Sequence, residues 1–220
     1  MENYHRNKRV LQFWSGGADS TYLLLQNLMA GNDLTLTYVD ILNNKTKVDR
    51  ERDARELLKN DIKVFCEHFN CAYPKFMRDH IIRVFGSTFE SCNAPQAVIF
   101  AMFSLLVGKG YDEIQMGIVV GDSMRGKTLN QEFAEVFKSQ FDTYFPKISY
   151  PIEDVSKEAI YLTLKGYDDV LGTNFLGHIT VCENLYEPCG DKKECTPCQT
   201  QQKVFENLKW VSGTTPCETS

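Results

Sequence analysis

Val10-Leu11-Gln12-Phe13-Trp14-Ser15-Gly16-Gly17-Ala18-Asp19-Ser20-Thr21 decides how this chain folds. The first five residues are short and mostly apolar, the texture of a buried strand. Two glycines follow a serine, and then Tyr22, Leu25, Leu28 and Met29 recur at helical spacing until Gly31-Asn32 ends the run. A strand that passes through a glycine turn straight into a helix opens an alternating strand–helix layout. The position also favours anions. A helix N-terminus offers unpaired N–H groups and a partial positive charge. Glycines let the backbone approach a phosphate and take positive φ. Ser15, Ser20 and Thr21 can donate hydroxyl hydrogen bonds. Asp19 repels phosphate but can hold Mg²⁺ or tie down the loop. A plain glycine turn with capping serines is the competing reading. The loop is not a Walker A motif, because no Gly-Lys-Ser/Thr follows, and it is not the GxGxxG dinucleotide fingerprint.

Outward from this unit the alternation continues. Leu34–Leu42 reads as a second strand, Asn43–Arg52 as a polar lead into a charged helix ending near Asn60, and Ile62–Glu67 as a third strand. A helix is expected near Asp79–Phe85. Pro95 suits the first turn of an almost wholly apolar helix, Pro95–Gly108. Glu113–Val120 reads as a strand and Gln131–Phe145 as an amphipathic helix. Asp154 or Ser156 caps a helix over Lys157–Lys165. This order argues for an α/β fold with a doubly wound parallel sheet. From about Thr180 cysteine, proline, glycine and charge replace periodicity, and Gln199–Leu208 reads as a closing helix.

With 220 residues the chain can bury one sizeable core. Its net charge of -5 argues against a dedicated nucleic-acid binder. MENYHRNKRV has no apolar stretch, so a secretory leader is not expected. Ala97–Val107 is too short to span a bilayer, so no membrane association is expected. The expected compartment is the cytoplasm, where clustered thiols point to metal more than to disulfides.

Of 8 cysteines, Cys182, Cys189, Cys195 and Cys198 fall within one short segment, the last two as CxxC. Four thiolates satisfy a closed tetrahedral zinc site, which would stabilise a loop-rich stretch lacking its own core. Redox or sulfur-transfer chemistry at Cys195 and Cys198, or an iron–sulfur cluster, are the alternatives. Cys66, Cys71, Cys92 and Cys217 read as ordinary thiols. His5, His68, His80 and His178 form no metal-type pair.

The hexamer Ser15–Ser20 resembles the SGGxDS signature of the N-type ATP pyrophosphatases, the adenine nucleotide α-hydrolase-like superfamily with its PP-loop. With the four cysteines, the chain resembles the 7-cyano-7-deazaguanine synthases over most of its length. Asn93-Ala94-Pro95-Gln96 sits where that family has a substrate-side loop. Gly117-Ile118-Val119-Val120-Gly121-Asp122 looks like its strand ending in aspartate. Pro151-Ile152-Glu153-Asp154-Val155-Ser156-Lys157 looks like its proline-to-lysine turn. Thr180-Val181-Cys182 and Cys189-Gly190 through Cys198 match its zinc segment.

The resemblance implies a PP-loop domain over 1–178 and a zinc-binding segment with closing helix over 179–212; the polar end, 213–220, reads as a flexible tail. It implies ATP, Mg²⁺ and structural Zn²⁺ held by the four cysteines. The nucleotide would be bound by Phe13, Trp14, Ser15, Gly16, Gly17, Ala18, Asp19, Ser20 and Thr21. Asp19, Asp122, Lys157 and Arg125, with Lys127 beside it, are the candidate catalytic groups. The implied reaction is that of an ATP-dependent carbon–nitrogen ligase. It would join 7-carboxy-7-deazaguanine and ammonia to give the nitrile, releasing AMP and pyrophosphate in queuosine biosynthesis. A homodimer is compatible with the sequence.

The chain departs from that family. Asp191–Glu194 lengthens its short CGxC, and Gln201 stands where an arginine is common. Ser123–Gln131 lacks its Tyr-Pro-Asp-Cys-Arg stretch, the part near the purine. A relative adenylating another acid, a PP-loop tRNA sulfur-transferase, and a non-catalytic nucleotide module with a zinc knuckle are the rival readings.

Overall fold

The structure is a computed structural model that describes residues 7–41, 45–82, 99–100, 102–104, 106–120, 128, 131–132, 135–136, 147–181 and 196–211. Its elements are β1 (Arg9–Phe13), α1 (Ala18–Met29), β2 (Asp33–Thr37), β3 (Val39–Ile41), α2 (Lys45–Phe69), β4 (Lys75–Phe76) and β5 (His80–Ile82). After these come β6 (Glu113–Gln115), β7 (Lys147–Ser149), α3 (Lys157–Leu171), α4 (Phe175–His178) and α5 (Thr196–Val211). The described residues among 99–107 are also helical.

Five strands form one sheet in the order β4-β2-β1-β6-β7, and every neighbouring pair is parallel. The order reverses at β1: β2 lies on one side and β6 on the other, the kind of switch point outside whose carboxyl ends such sheets bind ligands. Alternation along β1 divides the core. Val10 and Trp14 join Leu24, Leu28, Leu58, Phe65 and Ile160 from α1, α2 and α3 on one face. Leu11 and Phe13 join Phe103, Ile114 and Met116 on the other. Helices thus cover both faces, the doubly wound α/β architecture that the sequence implies.

Several elements differ from the sequence reading. Ile62–Glu67 is not a strand but the second half of α2, which runs on to Phe69 rather than stopping near Asn60. Leu58, Ile62 and Phe65 are fully buried along one helical stripe. The helix expected near Asp79–Phe85 is instead β5 at His80–Ile82, paired with β3. The expected second strand is divided at Tyr38 into β2 and β3. Glu113–Val120 is a strand only over Glu113–Gln115, while β4 and β7 are strands the sequence reading lacked.

A polar seam crosses the apolar layer. Asn27 Nδ2 donates to Gln12 Oε1 (3.1 Å) and to Gln115 Oε1 (2.7 Å). Gln12 Nε2 donates to the Ser20 carbonyl (2.6 Å), and Asn32 Nδ2 donates to Asn27 Oδ1 (2.8 Å). All but Asn32 are buried. The seam fixes where α1 sits over β1 and β6. Asn27→Leu would strand two buried amide oxygens and is expected to cost roughly 2–4 kcal/mol in urea unfolding. A loss below about 0.5 kcal/mol would show that the seam contributes little.

Glu113, buried at the start of β6, receives Lys8 Nζ at 2.9 Å and has Lys147 at 3.8 Å. Burial alone would raise its pKa. The nearby Ser149 hydroxyl, the hydrogen bond from Lys8 and the charges of Lys8 and Lys147 outweigh burial and hold it below the usual carboxylate value. A depressed folded pKa gives stability that is whole above the unfolded value and lost as pH falls through the folded one. The stability gap between wild type and Glu113→Gln should therefore be full at neutral pH and shrink below about pH 4.5. A gap independent of pH in urea titrations would contradict this.

Candidate active site

β1 carries its pairing one residue past its end, with Trp14 N–H donating to the Thr37 carbonyl at 2.9 Å. The chain then turns at Gly16, whose φ of +79° suits glycine. Gly17 is the N-cap of α1, extended and without a side-chain cap. Among the described residues no side chain caps the opening turn of α1, which sits at the reversal point of the sheet. That is the arrangement that receives anions.

The loop's hydroxyls hold its shape. Ser20 Oγ donates to the Gly17 carbonyl (3.2 Å), accepts from Ser15 N–H (3.3 Å) and lies 3.2 Å from Ser15 Oγ. Ser15 Oγ accepts from Gly17 N–H at 3.3 Å. Thr21 is fully buried, and its hydroxyl accepts from Trp14 Nε1 at 3.1 Å. Trp14 and Ala18 are also buried. Their side chains pack inward and hold the form of the loop. Phe13 lies on the opposite face, its ring 4.8 Å from Phe100 and 6.0 Å from Phe103.

The catalytic candidates divide by whether the structure describes them. Asp19, in the first turn of α1, is ion-paired with Lys157 Nζ, and both side chains are part-exposed. Lys157 is the first residue of α3. Ser156 caps that helix by accepting from Ala159 N–H at 3.2 Å. Two helix N-termini therefore meet at one acid–base pair. Tyr161, one turn along α3, is buried. Burial, then the nearby Asp19 carboxylate and Cys198 thiol, pushes its phenol above the usual range and keeps it neutral. Asp122, Arg125 and Lys127 lie outside the described residues, as do Cys182, Cys189 and Cys195. Cys198 is buried near the start of α5. That helix packs on α3 through Phe205 and Tyr161, ring centroids 5.5 Å apart.

Two residues that the sequence reading named only within longer matched stretches are neighbours of the loop. Thr180 N–H donates to the Gly16 carbonyl at 3.0 Å, laying the chain that leads to Cys182 over the loop. Asp168 steers it there, accepting from Phe175 N–H (2.7 Å) and Leu176 N–H (3.0 Å). Asp61 helps, its Oδ2 2.6 Å from His178 Nδ1. Gly117 is the other. A Cβ there would lie 3.0 Å from Ser20 N and 3.1 Å from the Asp19 carbonyl carbon. A lone glycine after a strand run signals such a close approach. Nothing in the sequence signals the Thr180 contact.

Asp19 suits Mg²⁺, which prefers one or two carboxylates together with substrate phosphates. Among the described residues no three of His, Cys, Asp and Glu gather in a metal-holding group. Among the same residues no helix is long and apolar enough to cross a membrane.

No protein-family profile matches the chain, and no curated protein matches it. Among solved structures, it is similar to the NMN synthetase from Francisella tularensis. The two are 14% identical with a TM-score of 0.47, over 94% of this chain and 79% of that one.

Proposed function

We propose that this protein is an ATP-dependent carbon–nitrogen ligase that adenylates a small carboxylic acid at the N-terminus of α1. The observation that carries the reading is the open first turn of α1 behind a positive-φ glycine, with Asp19 and Lys157 paired at its mouth. The β,γ-pyrophosphate of ATP would lie against the N–H groups of Ala18 to Ser20. Asp19 would hold Mg²⁺, which when bound neutralises phosphate charge and orients the leaving pyrophosphate. Lys157, released from Asp19, would follow the charge that develops on the phosphates.

The acid that the sequence resemblance favours is 7-carboxy-7-deazaguanine. Its carboxylate oxygen attacks the α-phosphorus, the α–β phosphoanhydride bond breaks and pyrophosphate leaves. Ammonia then attacks the acyl carbon, expelling AMP and leaving an amide after proton loss. A second ATP activates the amide oxygen in the same way. Loss of AMP and of both nitrogen-bound protons then gives the nitrile. The chain's share is to position the reactants and offset charge. The altered stretch Ser123–Gln131 supports a second reading, the same adenylation applied to a different acid.

The test is to combine protein, Mg-ATP, ammonium and 7-carboxy-7-deazaguanine and analyse products by mass spectrometry. AMP, pyrophosphate and nitrile are expected. AMP without nitrile would favour the second reading, and ADP as the nucleotide product would sink both. Zinc analysis of the purified protein tests the cysteine segment separately: one equivalent is expected, and iron or no metal would overturn the zinc proposal.

Lys157→Met separates chemistry from folding. A part-exposed pair contributes about 1 kcal/mol or less to stability. The variant should unfold close to wild type while its kcat falls by roughly 10²-fold. Equal losses of stability and activity would assign Lys157 a merely structural part.

A further inference from the structure

Arg55, in the third turn of α2, joins three separate segments beneath the glycine loop. Its guanidinium meets Asp79 as a two-pronged fork, Nη1 to Oδ1 at 2.7 Å and Nη2 to Oδ2 at 2.8 Å. Asp79 lies just before β5. Nε donates to the Glu51 carbonyl at 3.2 Å, so the head is also tied to its own helix. The guanidinium plane covers the Tyr38 ring at 3.7 Å, at the break between β2 and β3. The Tyr38 hydroxyl donates to Glu51; burial and that carboxylate push its phenol far up, so the platform stays neutral. The stem reaches the loop. A Cβ on Gly16 would stand 3.0 Å from Arg55 Cγ and 3.3 Å from Arg55 N. The side chain is 7% exposed.

This geometry distinguishes Arg55 from a phosphate-binding arginine. Its charge is spent on Asp79 and its edge faces inward, so it offers little field to a ligand. What it presents to Gly16 is a methylene held still by the fork at the far end. A planar fork fixes an arginine in a way that a lysine ammonium cannot. From the other side Thr180 N–H holds the Gly16 carbonyl. The loop is thereby gripped from two directions.

We propose that the Arg55–Asp79 pair is a positioning brace for the phosphate loop, holding Gly16 in its left-handed conformation so that the N–H groups of the loop converge on the pyrophosphate of ATP. The proposal rests on the functional reading above. Displacement of a binding group by about an ångström costs up to 10²-fold in a tuned site. Loss of the fork should therefore appear in phosphate binding more than in anything else.

The test uses the full chain and two probes, Mg-pyrophosphate and AMP, each titrated by calorimetry well below the melting temperature. Asp79→Asn weakens the fork with little change in shape. Arg55→Met keeps the stem and removes the head. Arg55→Lys keeps charge and most of the stem. Asp79→Asn and Arg55→Met should weaken Mg-pyrophosphate by about tenfold or more while AMP affinity holds within about twofold. Arg55→Lys should fall between them and wild type. Wild-type binding of pyrophosphate with no loss in the three variants would overturn the brace alone. Equal loss of both probes would overturn it too, marking a general structural role. Failure of the wild type to bind pyrophosphate would overturn the functional reading, and the brace with it.

Discussion

Gly117→Ala is expected to lower the rate of AMP formation by about 10²-fold with the fold kept. The reason is local and steric. The added methyl would lie 3.0, 3.1 and 3.2 Å from Ser20 N, the Asp19 carbonyl carbon and Ser20 Cα. All three are backbone atoms, so no rotamer change relieves the contact. Either the chain after β6 retreats or the first turn of α1 moves, and that turn carries Asp19. Overpacking of this kind costs roughly 1–3 kcal/mol of stability, which a domain of this size can tolerate. Gly166→Ala is the matched control. Gly166 sits inside α3 with nothing within 4 Å of its added Cβ. That variant should keep full activity and gain about 0.5–1 kcal/mol of helix stability. Wild-type rates in Gly117→Ala would mean that the contact of this glycine with α1 has no bearing on the site.

Asp19→Asn should lower the rate by two to three orders of magnitude, roughly the effect of losing a main electrostatic group in an active site. The amide keeps the shape but not the charge, so Mg²⁺ loses its carboxylate and Lys157 loses its counter-ion. Stability should change by about 1 kcal/mol or less, because the pair is part-exposed. Titration with Mg²⁺ distinguishes the role. If Asp19 holds the metal, the variant should need a far higher Mg²⁺ concentration for half-maximal rate. An unchanged Mg²⁺ dependence would leave Asp19 as a tether for Lys157 alone.

Much of this was legible in the sequence because it is local. The glycine turn between an apolar strand and a periodic helix identified β1, the loop and α1, and Asp154 or Ser156 marked the start of α3, where Ser156 is the cap. What was misread depended on distant partners. Ile62–Glu67 is rich in residues that favour strands, yet Leu58, Ile62, Phe65 and Phe69 keep a helical spacing that the full length of α2 makes plain. His80–Ile82 is too short to show any period, and β3 decides its state. Lys75–Phe76 is two residues long and has no signal of its own. Within the site, Gly117 had a readable cue, a glycine closing a strand. Arg55, Asp79 and Thr180 had none, since each acts through a partner that only the tertiary fold brings near.

The central claim is that the loop at Ser15–Ser20 presents ATP for attack at its α-phosphate by a carboxylate. Supplying the acid with both carboxyl oxygens as ¹⁸O tests it most directly. Adenylation of the carboxylate oxygen, followed by attack of ammonia at the acyl carbon, predicts that the released AMP carries one heavy oxygen from the acid, and that pyrophosphate carries none. ADP as the nucleotide product, or AMP without the label, would contradict the account.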